Sequence, residues 1–189
     1  MLNRKLMMLC LMLIPDGYKR AEFLRKIRLF HRQGNHCFFV PFNYGTEPYM
    51  LSFGENVYVA SGVRFVTHDV TAKMFQYIDS DNRYTSRVGP ITVGSNVFIG
   101  ADATILYGVT IGSNVIIAAG TLVNSSLPDG GVYGGVPAHR IGDFTTYMDR
   151  IRKLSADVPW TDEDPFETRR EKQMDYFGLS TENELMYRE

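Results

Sequence analysis

The stretch that decides the fold reads FGENVY, VASGVR, FVTHDV over residues 53–70 and VGSNVF, IGADAT, ILYGVT, IGSNVI, IAAGTL over residues 93–122. Cut this way, every unit opens on an apolar residue: Phe53, Val59, Phe65, Val93, Ile99, Ile105, Ile111 and Ile117. The second position is Gly or Ala in six of the eight, and the fifth is small or β-branched in all but Asp69. A looser ninth unit runs from Val123 to Pro128. Self-similarity at a fixed period marks a repeat architecture. Six residues supply one short strand and one corner, and three such units close a triangular turn of a parallel β-helix. First-position side chains then stack inward as columns, while small residues at the second and fifth positions let the corners close. The fourth position carries Asn56, Gly62, Asn96, Asp102, Gly108, Asn114 and Gly120, residue types that tolerate the left-handed backbone of a tight corner. His68 is the one departure from that column.

Outward from the repeats the pattern changes on both sides. Between Val70 and Pro90 the period lapses into a polar and aromatic segment. A loop this long inside a compact domain is more often functional than idle. Upstream, Arg4 and Lys5 precede nine apolar residues, Leu6 to Ile14. Nine residues cannot span a bilayer, and no small-x-small cleavage site follows, so a packed helix is expected rather than a signal peptide. Asp16 reads as the N-cap of a second helix over Tyr18 to Arg32, with Phe23, Leu24, Ile27 and Phe30 on its apolar face. Lys19, Arg20, Arg25, Lys26, Arg28 and Arg32 populate the other face. That face reads as a solvated surface, or, more sharply, as one attracted to an anionic membrane or substrate. Downstream, Leu127-Pro128-Asp129-Gly130-Gly131 and Gly134-Gly135-Val136-Pro137 are turn signals. Helices are expected over Tyr147–Leu154 and Phe166–Phe177, the second announced by Thr161 and the acids after it, and the last dozen residues read as frayed. The organisation expected is an N-terminal helical segment (1–36), a β-helix (37–142, with an insertion at about 70–90) and a C-terminal helical tail (143–189).

Composition narrows the class. With 189 residues, 44% hydrophobic and a formal charge of −1, the chain is neither disordered nor a multispan membrane protein, and no global field favours nucleic acid. Residues 1–40 hold eight basic and two acidic side chains, whereas residues 41–144 hold five and eight. Two cysteines, Cys10 and Cys37, suit a reducing, cytoplasmic setting. The histidines His31, His36, His68 and His139 show no zinc-ligand spacing, so no metal is expected.

His68 departs from its column where the repeat opens into the insertion, and local failures of a sequence rule cluster at functional sites. An imidazole can serve as a general base near neutral pH. Asp69 is a poor partner for it, because adjacent residues of an extended chain point to opposite faces, and a backbone carbonyl is the expected holder of the ring.

The repeats, Val66-Thr67-His68-Asp69, the insertion, Pro90-Ile91-Thr92-Val93-Gly94 and Gly134-Gly135-Val136-Pro137-Ala138 together resemble the hexapeptide-repeat O-acetyltransferases. The likeness is to the maltose, galactoside and capsular-polysaccharide branch and spans residues 50–142. The resemblance implies an all-β solenoid wound as a left-handed parallel β-helix, a homotrimer with active sites between subunits, and acetyl-CoA as co-substrate. It implies that His68 deprotonates an acceptor hydroxyl, which attacks the thioester. On the cofactor side it implies Phe98 beside the pantetheine arm, the Ala101 N–H near the thioester oxygen, and Ala119 and Gly120 close to the pantetheine. Asn124 and Ser125 fall near the nucleotide. His139 stands where relatives carry a basic residue for the CoA phosphates, and Arg140, one place later, is favoured for its permanent charge.

For the sugar or glycan acceptor, Tyr77, Arg83, Tyr84 and Arg87 of the insertion are candidates, as are Asn43, Tyr44 and Glu47 ahead of the first coil. The rival activities are an N-acetyltransferase on an amino-sugar nucleotide and a xenobiotic acetyltransferase, which substrate profiling separates. A γ-class carbonic anhydrase needs three histidines around one zinc. A silent trimeric scaffold would show no histidine-dependent turnover.

Overall fold

The computed structural model describes residues 4–179. Two compact units divide the chain, Met1–Thr145 and Thr146–Glu189. The first opens with helices α1 (Arg4–Met12) and α2 (Gly17–Lys26) and strands β1 (Arg32–Gln33) and β2 (Phe38–Phe39). A 3₁₀ turn, Pro48–Met50, leads into β3 (Leu51–Phe53), β4 (Val57–Val59) and β5 (Arg64–Val66). The insertion supplies β6 (His68–Asp69), α3 (Thr71–Ile78) and β7 (Arg87–Val88). The regular coils resume with β8 (Ile91–Val93), β9 (Val97–Ile99) and β10 (Thr104–Leu106), then β11 (Thr110–Ile111), β12 (Val115–Ile117) and β13 (Leu122–Val123). A hairpin of β14 (Gly131–Gly134) and β15 (His139–Asp143) closes the stack and runs into α4 (Phe144–Asp157).

Strands β1, β3, β8 and β11 form one parallel face; β2, β4, β9, β12 and β14 a second, with β15 antiparallel on its end; β5, β10 and β13 a third. The chain visits these faces in rotation, so the three sheets are the three sides of one parallel coil. Val97 lies beside Val115, eighteen residues on, as three six-residue units per turn require. Val57 lies beside Val97, forty residues on, so the interruption adds twenty-two residues to a single turn.

The physical demands of the period are met position by position. All eight first-position residues are buried. All seven Asn, Asp and Gly residues of the fourth position have positive φ, between 55° and 75°. The asparagines also stack, Asn56 donating to Asn96 at 3.0 Å and Asn96 to Asn114 at 2.9 Å. The second position is small because coils touch there: a Cβ on Gly94 would stand 2.7 Å from the carbonyl of Gly112.

At the N-terminus, Met7, Leu11, Ala21 and Leu24 are buried in the same apolar core as the columns. Asp16 caps α2 as expected, accepting from the Lys19 N–H at 2.8 Å. The helix is shorter than its pattern suggested. It ends at Lys26, Arg28 takes a positive φ of 51°, and Phe30 reaches the core from beyond the helix. Arg20 leaves the expected solvated face. It is buried, donates to the carbonyls of Ile14, Val40 and Pro15, and lies 4.6 Å from the centre of the Phe42 ring. Three carbonyls and an aromatic face compensate its desolvation.

The insertion is not a bare loop, because Asp69 Oδ1 accepts the Thr71 N–H at 2.8 Å and starts α3, while β6 and β7 pair at its base. In the second unit, α5 (Phe166–Tyr176) leads to Phe177, and Tyr176 and Phe177 pack on Trp160. Asp164 accepts from the Thr161 N–H and from Lys172, while Pro165 is the N-cap. The fraying expected at the C-terminus falls mostly on residues 180–189, outside the described residues.

Candidate active site around His68

Among the eight fourth-position residues only His68 lacks a left-handed backbone; it opens strand β6 and pairs with Val88. Leaving the corner conformation is what lets the chain depart from the coil. The ring is held by Glu47, whose Oε2 stands 2.8 Å from His68 Nδ1. The same oxygen accepts the Thr67 hydroxyl at 2.5 Å. This replaces the backbone carbonyl expected to orient the ring. The physical reason is tertiary: the Pro48–Met50 turn that delivers the chain into β3 parks Glu47 beside the corner where β5 ends. Thr67 is buried, and the His68 and Glu47 side chains are 31% and 17% exposed.

Burial alone would raise the Glu47 carboxyl, but the hydrogen bonds from Thr67 and His68, with the charge of His68, outweigh it and hold the group below its ordinary value. An ionised carboxylate only accepts, so in the neutral imidazole the proton belongs on Nδ1 and the lone pair on Nε2. That is the tautomer of a base whose other nitrogen faces a substrate.

Asp69 is not part of this pair. Its carboxyl is held below the usual range chiefly by the N–H and hydroxyl of Thr71, with Arg87 and Tyr107 adding to the effect. Arg87 faces it across the β6–β7 ladder. Of the acceptor candidates, Tyr84 donates to Asp79 and packs on Phe75 inside the insertion. Tyr77 and Arg83 are exposed, whereas Tyr44 is buried in the core. Glu47, an acceptor candidate by sequence, is the partner of the His68 ring. Its sequence signal is thin: it is the lone acid between residues 23 and 54.

The cofactor candidates occupy other corners. Phe98 projects from the second face in a row with Tyr58 and Ile116. Ala101, Ala119 and Gly120 turn the corner from the second face to the third, and Asn124 and Ser125 follow β13 on the far edge of the third. Among the described residues the Ala101 N–H meets no acceptor. Among the described residues nothing beyond its chain neighbours lies within 4 Å of a Cβ placed on Gly120, whose φ is 68°. Glycine there therefore answers to backbone angle and leaves an open surface. Arg140 donates to Asp143 at 2.5 Å and to the carbonyls of Gly130 and Gly142, while the His139 ring is exposed.

Residues 90–125 match the hexapeptide repeat of succinyl-transferase. Protein CapG of Staphylococcus aureus is 40% identical over 123 residues, which cover 62% of this chain and 69% of that protein. The chain belongs to the hexapeptide-repeat acetyltransferase family. Among solved structures, a maltose O-acetyltransferase from Clostridium difficile 630 is 25% identical with a TM-score of 0.52, covering 74% of this chain and 83% of that one. A hexapeptide-repeat containing acetyltransferase from Vibrio cholerae O1 biovar eltor, solved with acetyl coenzyme A, is 22% identical with a TM-score of 0.52. It covers 75% of this chain and 85% of its own, a likeness of fold. This acetyltransferase therefore pairs an oriented imidazole with a repeat surface whose corner offers a free N–H.

Proposed function

We propose that the protein is an acetyl-CoA-dependent O-acetyltransferase acting on a sugar or glycan hydroxyl, with His68 as general base. The observation that carries this reading is the Glu47–His68 hydrogen bond, which fixes the ring and, in the neutral imidazole, puts the proton on Nδ1 so that the lone pair is on Nε2. The acceptor hydroxyl gives its proton to Nε2 as its oxygen attacks the thioester carbon. The oxyanion that forms is suited to the free N–H of Ala101. The tetrahedral intermediate collapses by breaking the carbon–sulfur bond, and the proton on Nε2 passes to the departing CoA sulfur. Glu47 stabilises the imidazolium between these steps. Phe98, Ala119, Gly120, Asn124 and Ser125 hold the cofactor in this reading, His139 or Arg140 meets its phosphates, and Tyr77 and Arg83 contact the acceptor.

The same reading makes the coil left-handed and the active enzyme a trimer with shared sites. Ala101 and His68 stand at opposite edges of the third face, a full side of the coil apart, on the order of 15–20 Å of extended chain. The corner of one copy is therefore matched with the base of the next. The apolar row Tyr58, Phe98 and Ile116 on the second face, with Val66, Leu106 and Leu122 on the third, suits burial between copies.

Release of CoA thiol against a panel of sugars and glycans tests the activity. His68→Ala should fold normally and lose about 10²–10⁴-fold in turnover, and near wild-type turnover would overturn the mechanism. Remixing His68→Ala subunits with Ala119→Trp subunits should recover up to about a quarter of wild-type activity, since that share of interfaces in a random cyclic trimer regains both halves. No recovery after verified subunit exchange would place base and cofactor on the same copy.

A further inference from the structure

Helix α1 has an apolar face on each side, and the chain covers only one. Met7 and Leu11, one helical turn apart, are buried in the core. On the opposite side Leu6, Leu9, Met12 and Leu13 are 49%, 55%, 56% and 76% exposed. Leu6, Leu9 and Leu13 share one face by their three- and four-residue spacing. No charged side chain falls between Leu6 and Pro15. A helix apolar all round is normally enclosed, in a core or by lipid. The apolar surface continues from α1 into a cleft of about 540 Å³ lined by Met8, Met12, Val40, Pro41 and Phe42 among others.

The charge of the segment that carries this face narrows its occupant. Residues 1–40 carry a net charge of +6. Arg20 is buried, Arg25 donates to Asn35, and Lys26 pairs with Glu22. Lys19, Arg28 and Arg32 are exposed and, among the described residues, form no ion pair. A second copy laid on the same surface would bring two +6 segments together, which disfavours self-pairing through α1. An anionic bilayer surface complements both features at once: acyl chains for the leucines and headgroup charge for the cations. Nine residues span about 14 Å, less than half of the ~30 Å hydrocarbon layer. Among the described residues no helix is long and apolar enough to cross a membrane.

We infer that α1 is an interfacial anchor that lies flat on anionic phospholipid, with Leu6, Leu9, Met12 and Leu13 in the acyl boundary and Lys19, Arg28 and Arg32 at the headgroups.

Cosedimentation of the full chain with vesicles tests this. The protein should bind phosphatidylcholine vesicles containing phosphatidylglycerol, bind pure phosphatidylcholine at least about tenfold more weakly, and release at high salt. Leu9→Glu with Leu13→Glu should lower partitioning at least about tenfold while leaving the melting temperature and molar mass unchanged. Should that variant fold poorly, Lys19→Glu with Arg28→Glu and Arg32→Glu must produce the same loss. Failure to bind anionic vesicles would overturn the inference, as would binding indifferent to both variants. A fall in molar mass on Leu9→Glu with Leu13→Glu would assign the face to contact between copies instead. None of these residues belongs to the proposed catalytic machinery, so turnover of a water-soluble acceptor stays separate from the outcome.

Discussion

Replacing Glu47 with Gln removes one charge and one geometric constraint while keeping the shape of the side chain. In the wild type a single oxygen, Oε2, accepts from both Thr67 and His68. An amide can turn its oxygen to these donors but carries no charge to stabilise the imidazolium that forms when His68 takes the acceptor proton. With charge centres about 4 Å apart and an effective dielectric of about 20, that stabilisation is about 4 kcal/mol. Partial exposure of both side chains reduces it to about 2 kcal/mol, or about 30-fold in kcat. Initial rates of thiol release should therefore fall about 30-fold in kcat with the KM for acetyl-CoA unchanged, because the interaction strengthens only as the proton moves. A kcat within about twofold of wild type, or a loss confined to KM, would refute the role of Glu47. Stability provides a second readout. The Glu47 carboxyl titrates below its ordinary value, so its contribution is fully present above the unfolded-state carboxylate pKa and disappears as pH falls through the depressed one. The gap in Tm between wild type and Glu47→Gln should close on acidification below about pH 4, as thermal melts across pH would show.

Asp69→Asn should cost less in kcat than Glu47→Gln, since Asp69 braces α3 and β7 rather than the imidazole; equal losses in parallel assays would contradict that division. Gly94→Ala should destabilise by about 1–3 kcal/mol or more, because the new methyl meets the Gly112 carbonyl at 2.7 Å, and a denaturation midpoint unchanged from wild type would show that adjoining coils can separate there. Arg140→Ala should raise the KM for acetyl-CoA about fivefold with kcat unchanged, and Asp143→Asn, which removes the negative charge paired with the guanidinium, should lower it slightly. If His139→Ala carries the KM effect instead, the phosphate contact belongs to the imidazole.

The coil was legible from local chemistry because its demands are local and repeat. Each turn needs an inward aliphatic residue, a small residue where coils touch, and a residue that accepts positive φ. Ile99, Gly94 and Asn96 satisfy these within a few residues of one another, so their spacing is the structure. His68 stands out by the same logic, as the one column member that is not Asn, Asp or Gly. Arg20 was misplaced because helical spacing assigns a face but not what packs there; three carbonyls and Phe42 drew the guanidinium inward. The insertion hid its helix because its apolar residues, among them Met74, Tyr77 and Ile78, remain exposed rather than facing a core.

By itself the sequence determined the period, the inward columns, the corner residues and the singularity of His68, since each follows from contacts inside one six-residue unit or between equivalent units. Only the tertiary structure decided which group holds the imidazole and how the site residues are distributed over the corners of the coil. Glu47 and His68 are twenty-one residues apart and obey no shared period. Their hydrogen bond exists because a short turn and the parallel stacking of β3 and β8 bring the segment ahead of β3 against the corner that opens into the insertion.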